Sequence, residues 1–218
     1  MKRSLLLIIA IIASSTGLYA QSSKPATKAG EHNEVSVLFG LNQPIVFHGF
    51  NTEINYWTRK WVFDYSHGFG LKVEGNNLAD IYKQQHLKFN IAHSLGFGFG
   101  YRFTKAFNLR FEPKVHFYEA YYDDQDYKAG NRIHNFSTYT LGLGAYYRWQ
   151  PFEKSSNALR GITISPSVRY WYKTGSSLGK DGYTYANAKT QSSETLKAPN
   201  IGLGNTPFVA NISIGYTF

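Results

Sequence analysis

Apolar and polar residues alternate with a period of two in eight separate runs between Glu34 and the C-terminal Phe218. That period puts successive side chains on opposite faces of a strand, so each run predicts one strand with an apolar and a small or polar face. The first, Glu34 to Asn42, sets Val35, Val37, Phe39 and Leu41 against Ser36, Leu38, Gly40 and Asn42. Phe50, Thr52, Ile54 and Tyr56 oppose Asn51, Glu53, Asn55 and Trp57 in the second. The third, Trp61 to Val73, carries Trp61, Phe63, Tyr65, His67, Phe69, Leu71 and Val73 on its apolar face. The fourth runs from Leu87 to Phe103, with Leu87, Phe89, Ile91, His93 and Leu95 facing one way, and Lys88, Asn90, Ala92 and Ser94 the other. Phe107 to Tyr118, His134 to Trp149, Ile162 to Tyr172 and Phe208 to Phe218 complete the set.

The connections alternate in length. Thr58 to Lys60 and Thr104 to Ala106 read as tight turns, and Gln150 to Arg160 as a longer one. Glu74 to Gln85 and Asp123 to Ile133 read as polar loops, and Thr174 to Asn205 as a long, aperiodic, exposed loop. Short turns at one end and long loops at the other are the arrangement of a membrane-spanning barrel. Pro113 cannot donate to a ladder, so a bulge or local distortion is expected there.

The second face decides between a barrel and a soluble β-sandwich. It bears Glu53, Asp64, Arg102, Arg110, Glu112, Lys114, Arg148 and Arg169. A sandwich would bury one face of each sheet and leave the other polar. With the apolar face turned to lipid, those charges line a lumen, where they can pair. The expected fold is all-β: an eight-stranded antiparallel up-and-down transmembrane β-barrel over residues 34–218. Its interior polar network would join Glu53, Asp64 and Glu112 to Arg102, Arg110, Arg148 and Arg169. Eight strands leave room for side chains only, which argues against a diffusion pore.

The N-terminus adds an address. Lys2 and Arg3, the apolar stretch Leu5 to Ala13 and Leu18-Tyr19-Ala20 before polar residues have the order of a signal peptide over 1–20. Residues 21–33 then form a flexible periplasmic linker. With no cysteine in the chain, a disulfide framework and a lipidated N-terminal cysteine are both excluded. The formal charge of +9 suits acidic lipopolysaccharide groups better than nucleic acid in an exported chain, and a merely solvated excess is the simpler reading still. Seventeen tyrosines and sixteen phenylalanines beside a negative mean hydropathy of -0.35 fit a wall that is apolar outside and polar within.

The last eleven residues, with Phe208, Tyr216 and Phe218 on one parity, resemble the C-terminal signal strand of bacterial outer-membrane β-barrels. The chain as a whole resembles small OmpA/OmpX-type barrels of Gram-negative bacteria. The resemblance implies recognition of that strand by the barrel assembly machinery, a place in the cell outer membrane among lipid and lipopolysaccharide, and a monomer with a structural or surface-interaction role. No cofactor and no nucleic-acid partner are expected.

Two outward positions break the apolar rule. Setting Val73 opposite Leu87 places His67 across from His93, with Glu119 one diagonal beyond, a candidate acid–base group on the lipid side. Its location is similar to that of lipid A 3-O-deacylases, but the His-x-Ser arrangement of that family is missing: Ser66 precedes His67, Ser94 follows His93, and both serines face the lumen on parity. A histidine pair without catalytic function is the simpler reading, and the deacylase-like enzyme the alternative. Gly96-x-Gly98-x-Gly100 lies within a strand pattern and lacks the strand-to-helix turn of a phosphate loop. The glycines are expected to admit bulky lumen side chains close to the wall. Asp123, Asp124 and Asp126 lack the further ligands of a calcium loop and read as solvated acids. Two aromatic girdles are expected, one with Tyr118, Tyr121, Tyr122, Tyr170, Trp171 and Tyr172, the other with Trp57, Trp61, Tyr101, Phe103, Trp149 and Phe218.

Overall fold

A computed structural model describes residues 33–218; the expected signal peptide and nearly all of the expected linker lie outside the described residues. Eight strands close into an antiparallel barrel: β1 (Glu34–Gly40), β2 (Phe50–Trp57), β3 (Trp61–Val73), β4 (Leu87–Arg102), β5 (Phe107–Tyr122), β6 (His134–Tyr147), β7 (Ile162–Ser176) and β10 (Phe208–Thr217). Each pairs with its sequence neighbour in the barrel, and β10 returns to β1 with Ser36 opposite Thr217. Closure leaves no lateral edge. Both described termini and the connections 58–60, 103–106 and 148–161 lie at one end, here the turn end. The opposite, loop end carries residues 41–49, 74–86, 123–133 and 177–207.

Alternation is realised as expected through the lower and middle barrel. Phe97, Leu143 and Val168 keep 68%, 64% and 59% of their surface exposed, while Glu53, Asp64, Arg110, Glu112 and Arg169 between them are buried in the lumen. Around the closed wall, Phe63, Phe99, Leu109, Leu141, Ile212 and Ile214 continue an outward apolar belt. Such a belt on a closed cylinder belongs in hydrocarbon, because water would leave a large contiguous apolar surface uncovered.

Toward the loop end the expected parity fails. Phe69 pairs with His93 and Leu71 with Ile91, but on the other side of β4 Ile91 pairs with Tyr118 and His93 with Phe117, so Ala92 is an extra residue. Opposite it in β3, Gly70 adopts a left-handed φ of 63°. A bulge reverses the faces beyond it. Leu71, Leu87, Phe89 and Ile91 therefore turn into the lumen instead of facing lipid, and are all buried. By the same alternation Lys72, Lys88 and Asn90 face out, not in. Pro113 itself stays in register with Leu141; pairing lapses only opposite it, between Gly96 and Phe99. A second irregularity lies between Tyr139 and Thr140, against β7.

The segment 174–205 is not an aperiodic exposed loop. It extends β7 to Ser176 and then folds into a hairpin, β8 (Tyr183–Asn187) with β9 (Ser192–Leu196), pairing Tyr183 with Leu196. Short helices also interrupt two connections, α1 (Asn42–Val46) and α2 (Asp80–Gln84).

Candidate functional site

From the turn end upward, the lumen is filled in layers. Trp57, placed by sequence among the interfacial aromatics, is instead fully buried inside, where its indole N–H donates to Ser36 Oγ at 2.7 Å. Ser36, Thr217 and Thr163 continue as a hydroxyl chain of 2.8 and 2.7 Å that ties β1, β10 and β7 together. Three guanidiniums approach the Trp57 ring, Arg148 at 4.5 Å, Arg110 at 5.2 Å and Arg102 at 5.3 Å from its centroid. Cation–π attraction strengthens where water is excluded. Arg148 is paired with Glu34 at 2.6 Å. Arg102 makes no direct ion pair among the described residues; it donates to the Thr58 and Lys105 carbonyls and so fastens two turns.

Arg110 centres the next layer. Its Nη1 lies 2.9 Å from Glu53, 2.5 Å from Asn55 Oδ1 and 3.2 Å from Asp64, while Nε donates to Asn108 at 2.8 Å. Its guanidinium carbon lies 4.0 Å from the Tyr146 ring centroid. Arg169 reaches Glu53 at 4.0 Å and Lys114 reaches Glu112 at 3.5 Å, with Lys114 also donating to Ser66 Oγ at 2.7 Å. The expected network thus centres on Arg110, Arg169 and Lys114, while Arg102 and Arg148 serve the turn end.

The glycines show how so many long side chains fit. A Cβ at Gly98 would lie 2.1 Å from Asp64 Oδ2, one at Gly96 2.2 Å from the Lys114 stem, and one at Gly142 2.3 Å from Trp171. Bare backbone at these points lets the charged and aromatic groups lie flat on the wall. Above them His116 is held between Ser94 Oγ at 2.8 Å and Thr140 Oγ1 at 2.9 Å.

The top of the lumen is apolar. Leu71, Leu87, Phe89, Ile91, Tyr118 and Phe136 form a buried cluster, with Tyr118 and Phe136 stacked at 5.1 Å. Leu78 and Tyr82, around α2, and Tyr185 and Leu196, from the hairpin, cover it. Polar contacts clasp the hairpin to the α2 loop: Asn187 donates to the Gln85 carbonyl at 2.9 Å, and Gln85 to Thr195 O at 3.2 Å. Tyr82 donates to Lys197 O at 3.2 Å, and burial pushes its phenol up to about 12. Burial works against ionisation of Glu194, but donors from Thr190, Asn187 and Ser192 hold its carboxyl below the ordinary value. Alternating Tyr183 and Tyr185 were the available sequence signal for this hairpin.

On the outer wall the sequence-predicted group is only partly assembled. Val73 pairs with Phe89 rather than Leu87, so His67 lies opposite Leu95 and meets His93 on the diagonal, Nε2 to Nδ1 3.1 Å. Glu119 is bound elsewhere, accepting from Asn90 at 2.8 Å, Tyr121 at 2.9 Å and Arg132 at 2.7 Å. Ser94 and Ser66 are turned inward to His116 and Lys114. Among the expected girdle residues, Tyr118, Tyr121 and Trp171 are buried; Trp61, Tyr101, Phe103, Trp149 and Phe218 are exposed at the turn end, and Tyr170 and Tyr172 higher up; Phe208 of the signal strand is exposed as well. Tyr216 packs on Phe218 at 4.9 Å. Asp123, Asp124 and Asp126 go to His86, Lys189 and Lys128, and no group of three metal-ligating residues occurs among the described residues.

No protein-family model and no curated protein matches the chain. Among solved structures it is similar to Ail, the attachment invasion locus protein of Yersinia pestis, at 13% identity over 85% of this chain and 96% of that one, with a TM-score of 0.35. For the same protein in complex with the heparin analogue sucrose octasulfate, the identity is 14% over 86% and 99%, with a TM-score of 0.39. Strand order, closure, the outward belt and the charged lumen identify the chain by themselves as an eight-stranded outer-membrane β-barrel.

Proposed function

We propose that this barrel is a non-conducting stand in the outer membrane, and that it acts by surface interaction through the folded structure at its loop end. The observation that carries this reading is the continuous filling of the lumen, from Trp57 through the Arg110 layer to the apolar cluster under the β8–β9 hairpin. Filling of this kind supports a closed interior, in which the side chains serve to hold the wall in shape. What remains available to partners is the loop end, where the hairpin is held in one arrangement by Asn187, Gln85 and Tyr82. Prepaid order of that kind lowers the entropy cost of binding.

Planar-bilayer recording on the refolded protein tests the reading. The expected trace is flat across a wide voltage range. A steady, reproducible open channel in the wild-type protein overturns it.

A further inference from the structure

The bulge at Ala92, matched by the left-handed Gly70 opposite it, puts two lysines on the outside of the barrel wall. Lys72 and Lys88 approach the ring of one tyrosine, Tyr127, with Nζ atoms 5.2 and 4.5 Å from its centroid. Two cations held beside one ring concentrate positive charge on this part of the wall, and an anion binding there would be attracted by both. The carboxylates nearby are already engaged. Glu74 accepts from the Tyr127 hydroxyl at 2.7 Å, Asp126 pairs with Lys128 at 2.8 Å, and Asp124 pairs with Lys189. Asp124 and Asp126 feel the charge of Lys88, but among the described residues neither Lys72 nor Lys88 has a carboxylate within direct ion-pair distance.

Height on the wall selects the ligand. Just below the lysines, Phe69 and Phe117 are exposed in the apolar belt; just above, the chain leaves the strands for the loops. Cations at this boundary stand at the level of lipid headgroups, with their stems over the apolar wall. The ring edge of Tyr121 against Tyr127, 5.2 Å between centroids, stiffens the floor. We propose that Lys72, Lys88 and Tyr127 form a site for a phosphate group of an outer-leaflet glycolipid. Two ammonium groups beside one ring supply the charge that a doubly charged phosphate monoester calls for, and both stand on the outer, lipid-facing side of the wall. A soluble anion has no such reason to be met at this level.

Native mass spectrometry of the folded protein in detergent tests the proposal, with three probes: lipid A carrying both phosphates, lipid A stripped of them, and inorganic phosphate. Wild-type protein is expected to retain the phosphorylated lipid roughly tenfold better than the stripped one, the loss expected from removing a charge-assisted contact. The variant Lys72→Gln/Lys88→Gln loses that preference, Lys72→Arg/Lys88→Arg keeps it, and Lys60→Gln at the turn end behaves as wild type. Heat-modifiable gel migration confirms that each variant is folded, and the single Lys88→Gln variant, with an intermediate loss, serves where the double variant does not fold. Equal retention of the two lipids, or wild-type retention in the folded glutamine variants, overturns the proposal. Displacement of the lipid by millimolar inorganic phosphate overturns the lipid as the source.

Discussion

Ile91 and His93, two residues apart in β4, lie on opposite sides of the barrel wall: Ile91 is buried in the lumen cluster, and His93 is exposed beside His67. In an unbroken strand they would share a face. Ala92 between them absorbs the reversal, and Gly70 matches it in β3 with a positive φ. A Cβ at Gly70 would meet nothing within 4 Å, so any penalty for adding one comes from the backbone alone. Gly70→Val is expected to destabilise the barrel by about 1–2 kcal/mol, the usual cost of a left-handed conformation for an L-residue. Urea unfolding in micelles measures it, and a neutral result contradicts the bulge.

Removing Arg110 should be far more costly. Its guanidinium faces Glu53 and Asp64 in a layer without bulk water, and Arg110→Met strands both carboxylates. Breaking a buried pair by deleting one partner costs about 3–5 kcal/mol. The variant is expected to unfold at markedly lower urea concentration. Restoring neutrality with Glu53→Gln in the same chain should recover part of the loss.

Gly98→Val tests the filling of the wall. A side chain there collides with the Asp64 carboxylate, which must give up its place beside Arg110 to make room. Overpacking of this kind costs about 1–3 kcal/mol. Thermal loss of heat-modifiable migration should shift downward, and by more than for Gly130→Val, where a Cβ meets open space.

The cap carries a pH dependence with a definite sign. Glu194 is ionised below the ordinary carboxylate range in the folded hairpin. Its contribution is therefore complete above about pH 4.3, the free-glutamate value, and is lost as the pH falls through the lower, folded-state value. Methyl NMR of Leu196 in micelles, followed from pH 7 to 3, should report loosening of the cap only toward the acid end. Glu194→Gln should flatten that response.

Replacing both His67 and His93 with leucine should leave the lipid A mass spectrum of the host membrane unchanged. Glu119 is taken by Asn90, Tyr121 and Arg132, and no serine hydroxyl reaches the pair. Because each ring satisfies the other, the double variant should be less destabilised than either single one. A changed lipid A profile would revive an enzymatic reading.

The eight barrel strands were legible because lipid and lumen demand opposite residue types along most of the wall. Glu53 and Asp64 against Ile54 and Phe63 leave little choice of face. At the mouth that contrast disappears, since the lumen there is as apolar as the lipid. Leu87, Phe89 and Ile91 satisfy either side, so hydropathy cannot register the reversal at Ala92. Trp57 was assigned to the correct parity, yet its position near a strand end grouped it with the girdle; its arginine partners come from β4, β5 and the connection after β6, distant in sequence. The hairpin went unread because Ser, Thr and Asn dominate it, and only Tyr185 and Leu196 are buried in the cluster.

The shortness of β1 has a consequence for how the cylinder opens. Its ladder with β10 runs only from Ser36 to Gly40 before the chain turns toward α1, whereas β5 and β6 stay paired from Phe107 to Ala120. The first and last barrel strands meet at this join, and no turn or loop links β1 to β10 directly, so separating them breaks no covalent connection at either rim. It is held at the turn end by the Ser36–Thr217 hydroxyl pair and, higher up, by Asn42 against Asn211 and Ala210. The join is thus the weakest stave-to-stave contact and the natural place for the first tear, and by reversibility for the final closing step of insertion.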